Sequence, residues 1–243
     1  MKLIKADHDR RLEIPGVPGL ARRPVDIDRS RTGFTNLRSL RIYRFDAQSV
    51  INGHAEEDEV FVVVMAGSVE LNVSEANSPG GPHSFLLSAA GASGNLPCVA
   101  YLPPDSAYQL IPQTDADVAY ARATPVGCRA STVFAPRPRG GAVGVTALLE
   151  ETTYARRLRV RLVQIDASQD NVVFKPVQES ESLCEALVHV RTAPAEGVAT
   201  ITTFGAGPTE LNSWDTASVA PGDHPALCVA SQSSALVLVV LAV

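Results

Sequence analysis

The feature of this sequence that most constrains its fold is a series of short β-rich runs that occurs twice, on either side of a segment rich in Pro, Gly and Arg. The first series comprises Arg41–Phe45, Val60–Met65, Ser68–Val73, Val99–Leu102 and Val118–Ala121. The second comprises Leu158–Ile165, Ala186–Val190, Gly197–Phe204, Ala226–Ala230 and Leu236–Leu241. Short apolar runs separated by Gly and Pro turns predict an all-β protein made of two sandwiches or barrels.

The segment between the two series, TPVGCRASTVFAPRPRGGAVG, begins at Thr124 and predicts a connector without regular structure. We therefore expect an N-terminal domain over residues 1–125, a connector over 126–145 and a C-terminal domain over 146–243. The two domains share a layout. Glu59 begins the strand VFVVVMAG and Glu185 begins ALVHV, and each strand is followed later by a Pro turn and a further strand. This order indicates two copies of one fold.

Composition and motifs exclude several classes of function. With 45% hydrophobic and 19% charged residues the chain is globular, and its net charge of −5 lacks the basic field that nucleic-acid binding uses. The N-terminus has no signal-peptide pattern, and the longest apolar run, Ala235–Val243, is under half of the roughly 20 residues that a membrane helix needs. We expect a cytoplasmic protein without nucleic-acid or membrane partners. Dinucleotide, P-loop, G-x-S-x-G and H-E-x-x-H motifs are absent, so no nucleotide cofactor is expected.

A glutamate at the start of a strand, a glycine after it and a later Pro/Gly turn with a histidine together resemble the cupin superfamily. The second half, with LCEALVHVRTAPAEGVATITTF, WDTASVAPGDHPALCV and SSALVLVVLAV, resembles the bicupins of the 5-deoxy-glucuronate isomerase and 5-dehydro-4-deoxy-glucuronate ketol-isomerase family. Glu185 stands at the glutamate position, and Gly222, His224 and Pro225 stand at the G-x-H-P positions. HAEEDEVFVVVMAGSVEL and CVAYLPPDSAYQLIPQTDADVAYARATP fit the layout of the family's first barrel. The resemblance implies an all-β fold of two tandem cupin (jelly-roll) barrels.

The resemblance also implies one divalent transition-metal ion (Zn, Mn, Fe or Ni) held by an H-x-H pair, a glutamate and a later histidine. The chain has five histidines but no H-x-H, and Gln178 and Ser180 stand at the two expected histidine positions. Glu185 and His224 remain as ligands, with His189 or Gln178 as further candidates. Amide and hydroxyl oxygens bind such ions more weakly than imidazoles do, so the metal is expected to be weakly bound or absent.

Two interpretations of these residues stay open. In the first, Glu185, His224 and His189 are the catalytic residues of a sugar-acid aldose-ketose isomerase and move a proton between adjacent carbons. Residues 185, 187 and 189 share one face of a strand, so His189 enters the barrel if Glu185 does. In the second, the chain is a metal-free bicupin that binds a small molecule or acts as a structural subunit, and His189 is an interior residue with a hydrogen bond.

The first barrel is expected to lack a complete metal shell, because Tyr108 stands where the later histidine of the motif belongs. The partner that the resemblance implies is a small carbohydrate acid. Its carboxylate suits an arginine fork, and Arg157, Arg159 and Arg161 share a face of one predicted strand. A homo-oligomer is expected as well, because the edge strands of cupins commonly pair between chains.

Overall fold

The computed structural model of the chain describes residues 1–14, 17, 20–75, 81–90, 96–127, 129–151, 154–181, 183–193, 199–203 and 207–243. Nearly all regular structure in these ranges is β-strand. The first thirteen strands, in chain order, are β1 (Lys2–Ile4), β2 (Arg11–Glu13), β3 (Leu20–Asp28), β4 (Leu37–Phe45), β5 (Ile51–His54), β6 (Glu59–Ala66), β7 (Ser68–Glu75), β8 (His83–Ser88), β9 (Val99–Leu102), β10 (Ser106–Pro112), β11 (Ala116–Ala123), β12 (Thr132–Phe134) and β13 (Arg139–Gly140).

The remaining strands complete the second half. They are β14 (Val145–Glu151), β15 (Leu158–Ala167), β16 (Val172–Phe174), β17 (Glu185–Ala193), β18 (Ala199–Thr202), β19 (Thr209–Leu211), β20 (Thr216–Val219), β21 (Ala226–Val229) and β22 (Ser233–Ala242). The helices in the described part are one turn each: α1 (Arg29–Thr32) and a 3-10 turn at Glu179–Glu181. No helix in the ranges given above is long and apolar enough to cross a membrane.

The strands form two pairs of sheets with matching topology. The first half has a seven-stranded sheet in the order β12-β9-β6-β11-β4-β3-β2 and a four-stranded sheet in the order β5-β10-β7-β8. The second half repeats this pattern as β1-β20-β17-β22-β15-β14-β13 and β16-β21-β18-β19. The strand orders correspond one to one, so β6 is the counterpart of β17 and β4 is the counterpart of β15. The prediction of an all-β chain with a duplicated fold is confirmed.

Most predicted strands lie inside observed ones, but the connector differs from expectation. Residues 132–134 and 139–140, inside the predicted 126–145 connector, form β12 and β13, which belong to the seven-stranded sheets of the first and second half respectively. Strand β1, at the N-terminus of the chain, pairs with β20 of the second half. The ends of the predicted run Gly197–Phe204 lie outside the described residues, and its middle is β18.

Both faces of each central strand are buried, and they pack into different cores. On β6, Val60, Val62 and Val64 fill the first barrel, whereas Phe61 and Val63 pack in a core that the two halves share. On β17, Ala186, Val188 and Val190 fill the second barrel, whereas Leu187 belongs to the shared core. Burial on both faces is why these strands are continuous apolar runs and do not alternate with polar residues.

Candidate functional site

Glu185 lies at the start of β17, on the face that meets the other half. The backbone N–H of Thr35 donates to its Oε1 at 2.5 Å, and those of Asn36 and Leu37 donate to its Oε2 at 2.8 and 2.7 Å. The side chain is 7% exposed. Glu185 therefore holds the beginning of β4 and does not point into the second barrel, which corrects the orientation expected from the sequence.

Glu59 repeats this arrangement on the other side. It begins β6, the counterpart of β17, and its Oε1 accepts the backbone N–H of Leu158 at 2.7 Å, at the start of β15. Tyr101 Oη donates to its Oε2 at 3.4 Å. Burial raises the pKa of Glu59, and these hydrogen bonds act against that rise. The two glutamates of the duplicated motif thus fasten each half to the other.

His189 shares the face of Glu185, as the alternation of strand residues requires. It is fully buried, its Nδ1 lies 3.1 Å from Thr216 Oγ1, and its ring meets Trp214 edge-on at 5.8 Å. Burial, with a smaller contribution from the Arg191 charge, lowers the pKa of His189 to about 3. The imidazole is therefore neutral at physiological pH, as in the interior-residue interpretation.

Trp214 also links the two halves. Its ring contacts the guanidinium groups of Arg44 and Arg191, which are 5.1 and 4.5 Å from the ring centroid. Asp117 pairs with both arginines at 3.1 Å. The surroundings of His189 are therefore an interdomain contact of aromatic and ionic groups.

His224 lies elsewhere. It is exposed and lines an open cavity of about 650 Å³ together with Lys175, Glu179, Thr202 and other residues, and neither Glu185 nor His189 is part of this lining. The expected convergence of Glu185, His189 and His224 is therefore not found. Gln178 is exposed, and its backbone N–H donates to Glu181 Oε2 at 3.2 Å; it is not part of the lining of the cavity around His224.

The residues expected to hold a divalent metal do not fit that task. Both oxygens of Glu185 already accept backbone hydrogen bonds, and His224 lines a different cavity. Across the described ranges, no three or more His, Cys, Asp or Glu side chains are grouped as metal ligands. The donor set thus disagrees with the metal centre that the resemblance implies.

The second barrel leaves little room in its interior. Apolar side chains from β15, β17, β18, β21 and β22 fill it. On β15, Arg161 forms a buried bidentate ion pair with Glu181 and a further ion pair with Glu150 at 2.7 Å. Arg161 therefore binds carboxylates of this chain itself, and not the carboxylate of a ligand.

The first barrel, in contrast, contains a cavity of about 120 Å³. Its polar lining consists mainly of three tyrosines and two arginines: Tyr43, Tyr108, Tyr120, Arg41 and Arg122. We call this space the tyrosine–arginine cavity. It forms because Arg41 and Tyr43 on β4 and Tyr120 and Arg122 on β11 alternate with residues of the shared core, and Tyr120 pairs directly with Arg41 across the two strands.

Tyr108, at the expected histidine position, packs over a glycine. It pairs with Gly53 across β10 and β5, and a Cβ on Gly53 would lie 2.2 Å from Tyr108 Cζ. The ring also stacks on Tyr120, with centroids 5.9 Å apart. Gly53 is therefore the residue that allows Tyr108 to form a wall of the cavity.

Tyr120 presents a buried hydroxyl to the cavity. The residue is 5% exposed, and in the described part of the chain its Oη has only a weak hydrogen-bonding contact with the Tyr108 hydroxyl. Burial raises the pKa of Tyr120 well above its usual value and also raises that of Tyr108. Both phenols therefore remain protonated at neutral pH and can donate hydrogen bonds.

Arg41, in the lining of the cavity, belongs to a cluster of charged groups. Arg10, Arg23 and Arg41 all pair with Asp26, the last two at 2.9 and 3.2 Å. Even when Asp28, which also interacts with Arg41, is counted with Asp26, the arginines outnumber the carboxylates. This excess charge favours an anion.

Sequence reasoning missed most of this site. The sequence identifies Tyr108 only as a substitute for histidine and gives no motif for Tyr43, Tyr120 or Gly53. The usable signal was the polar alternation in RIYRF at 41–45 and AYAR at 119–122, which interrupts otherwise apolar strands.

A scan of protein-family models and a search of curated proteins found no match. Solved structures do match over nearly the whole chain. An IolB-like protein from Salmonella typhimurium is 18% identical, with a TM-score of 0.70 over 99% of this chain and 92% of that one. Protein Ylba from E. coli is 11% identical, with a TM-score of 0.66 over 98% of this chain and 89% of that one.

Oxalate decarboxylase from Lactobacillus farciminis, solved as a formate complex, is 8% identical with a TM-score of 0.69, over 99% of this chain and 85% of that one. At such identities the likeness shows the fold. Together with the duplicated sheets, it establishes that this chain has the all-β bicupin fold.

Proposed function

We propose that this protein is a bicupin that binds a small organic molecule in its N-terminal barrel without the metal ion that the family resemblance implies. The observation that carries this proposal is the tyrosine–arginine cavity, which combines buried phenol donors and guanidinium groups. Concave sites with mainly apolar walls and a few converging polar groups are the usual form of small-molecule sites. The second barrel is filled by its own side chains, so it supports this role less well.

The chemistry of the cavity favours binding over proton transfer. Tyr108 and Tyr120 are held protonated by burial, so they act as donors and are poor bases at neutral pH. Arg122 is fixed by hydrogen bonds from its Nη1 and Nη2 to the backbone oxygens of Ala55 and His54, at 3.2 and 2.7 Å. A preformed set of donors of this kind orients a ligand at a small entropic cost.

A fragment screen by ligand-observed NMR, followed by calorimetry of the hits, tests the proposal. Ile51 is 5% exposed and lines the cavity, so Ile51→Phe adds volume to the space that a ligand would occupy. We expect hits that bind wild type and the His224→Ala control equally and bind Ile51→Phe at least about tenfold more weakly. A second variant, Tyr108→Ala, covers the case in which Ile51→Phe fails to fold. Hits that survive both cavity changes and are lost in His224→Ala would overturn the proposal.

Sugar-acid isomerisation is the second candidate. It is supported by the IolB-like structural neighbour and by the placement of His224 with Lys175 and Glu179 around an open cavity of about 650 Å³, where an acid and a base could act. Isomerisation of 5-deoxy-glucuronate by wild type and His224→Ala tests it. Loss of activity in the variant would support this candidate, and equal rates or no activity in either protein would remove it.

Cytoplasmic location and homo-oligomerisation stay predictions.

A further inference from the structure

The tyrosine–arginine cavity has two chemically different parts. Ile14, Phe45 and Ile51 supply apolar wall, whereas Arg41 and Arg122 supply charge. Phe45 also stacks on Tyr43, with ring centroids 5.3 Å apart, which extends the apolar surface. A ligand that matches both parts must carry an apolar body and one polar end.

The volume limits the size of the ligand. A cavity of about 150 Å³ holds benzene, so about 120 Å³ accommodates roughly four to six carbon atoms, with a polar group toward the mouth. A six-carbon sugar acid has about twice as many heavy atoms as benzene, and each of its hydroxyl groups would need a polar partner that the apolar walls do not provide. The cavity is therefore too small and too apolar for a uronate.

The polar atoms of the cavity select an anion. The buried Tyr120 hydroxyl has no regular partner, Tyr108 interacts with both Tyr120 and Arg122, and neither phenol is ionised at neutral pH. Arg41 uses its Nε on Asp26, as one of three arginines on that carboxylate. Arg122 has a weaker pair with Asp58 at 3.7 Å, and Asp58 also pairs with Arg38, which pairs in turn with Glu57. Neutral phenol donors beside the guanidinium groups of Arg41 and Arg122 match a carboxylate, which only accepts hydrogen bonds.

We infer that the tyrosine–arginine cavity binds a small apolar monocarboxylate, with its carboxylate toward Tyr120, Arg41 and Arg122 and its hydrocarbon body against Ile14, Phe45 and Ile51. This inference rests on the proposed function and narrows it to one class of ligand.

Calorimetry with matched probes tests the inference. The probes are butanoate and benzoate, their neutral isosteres butanamide and benzamide, and glucuronate, all at one ionic strength. We expect at least one of the two monocarboxylates to bind at least about tenfold more tightly than its amide, and glucuronate to bind more weakly than that acid. Amides that bind as tightly as the acids, or glucuronate that binds best, would overturn the inference but leave the proposed function standing. Failure of all five probes, while NMR hits still compete at the cavity, would also overturn only the inference. Absence of any cavity hit overturns the proposed function itself.

Tyr120→Phe separates a role in binding from a role in folding. Because the buried Tyr120 hydroxyl has only a weak hydrogen-bonding contact with Tyr108, its removal should change the thermal midpoint little. The same change should weaken monocarboxylate binding about fivefold to tenfold. Tyr154→Phe is the matched control, since the Tyr154 hydroxyl donates to the Ala130 carbonyl outside the cavity. Equal monocarboxylate affinity in wild type and Tyr120→Phe would contradict the proposed placement of the carboxylate.

Discussion

Two buried glutamates, Glu59 and Glu185, bind backbone groups of the opposite half of the molecule. Glu59 and Glu185 begin equivalent strands, and each accepts backbone N–H groups from the start of a strand in the opposite half. A hydrogen bond from a buried N–H group to a charged acceptor contributes more to stability than a similar bond on the surface. This shared role explains structurally why the two glutamates occupy equivalent positions in the duplicated fold.

Glu185→Gln tests this explanation. An amide keeps the shape of the side chain but removes the charge and turns one acceptor into a donor that faces N–H groups. We expect the free energy of unfolding in urea to fall by about 2–4 kcal/mol, with ligand affinity at the tyrosine–arginine cavity unchanged.

Glu59→Gln is the comparison. Burial raises the pKa of Glu59, so its charge is already disfavoured, and it accepts fewer backbone hydrogen bonds than the three that Glu185 accepts. The loss of stability should therefore be smaller than for Glu185→Gln. A Glu185→Gln protein of wild-type stability would contradict the fastening role.

The buried imidazole of His189 makes stability depend on pH. Its pKa is lowered to about 3 in the folded chain, against an ordinary value near 6.5, so the unfolded chain binds the proton first as the pH falls. Between these two values the wild type should lose up to about 1.4 kcal/mol per pH unit relative to His189→Asn. Urea unfolding at several pH values measures this difference.

His83→Asn is the control for this experiment, because His83 is exposed on β8. Parallel pH profiles for wild type and His189→Asn would show that the pKa of His189 is the same in the folded and the unfolded chain, contrary to its burial. The sequence indicated that His189 shares the face of Glu185, but it did not show which core that face enters.

At the scale of strands, the apolar runs were sufficient to predict the elements, because short β-branched segments between turns have few alternatives. The apolar runs were insufficient to show which face of each strand points into a barrel. In β17 both faces are buried, so the pattern ALVHV fits equally well with Glu185 inside the second barrel or against the first half. The strands β12 and β13 were missed because each has only two or three residues and lies among Pro and Gly.

Gly53→Ala tests the wall of the cavity at this scale. The added Cβ would lie 2.2 Å from Tyr108 Cζ, so the ring must move and the cavity must change shape. We expect a stability loss of about 1–3 kcal/mol and at least about tenfold weaker ligand binding, measured by unfolding and calorimetry. Gly140→Ala, whose Cβ would meet nothing within 4 Å, is the matched control and should change neither value. Unchanged binding in Gly53→Ala would show that Tyr108 does not shape the site.

At the scale of the whole molecule, the two halves share one core, and β1 forms an edge strand of the second half's seven-stranded sheet. Ile4 of β1 is 4% exposed and packs in the shared core, while β1 pairs with β20 of the second half. Lys5 continues this contact through an ion pair with the buried Asp215 at 2.9 Å. The first residues of the chain thus belong structurally to the second barrel, which the predicted boundary at 125 did not anticipate.

Ile4→Ala tests the contribution of this edge strand. Truncation of a buried isoleucine should lower the free energy of unfolding by about 2–4 kcal/mol. Lys2→Ala on the same strand is exposed and should stay within about 0.5 kcal/mol of wild type. Equal stability of the two variants would mean that β1 is only loosely attached to the second barrel.

A crystal structure of the protein grown with a monocarboxylate that binds in calorimetry, and with added manganese and zinc, tests the central claim most directly. We expect the acid in the first barrel with its carboxylate within hydrogen-bond distance of Tyr120 Oη, and Glu185 still bound to the backbone of residues 35–37. A metal ion held by Glu185 and His224, or the acid bound beside His224 with an empty first barrel, would contradict the account.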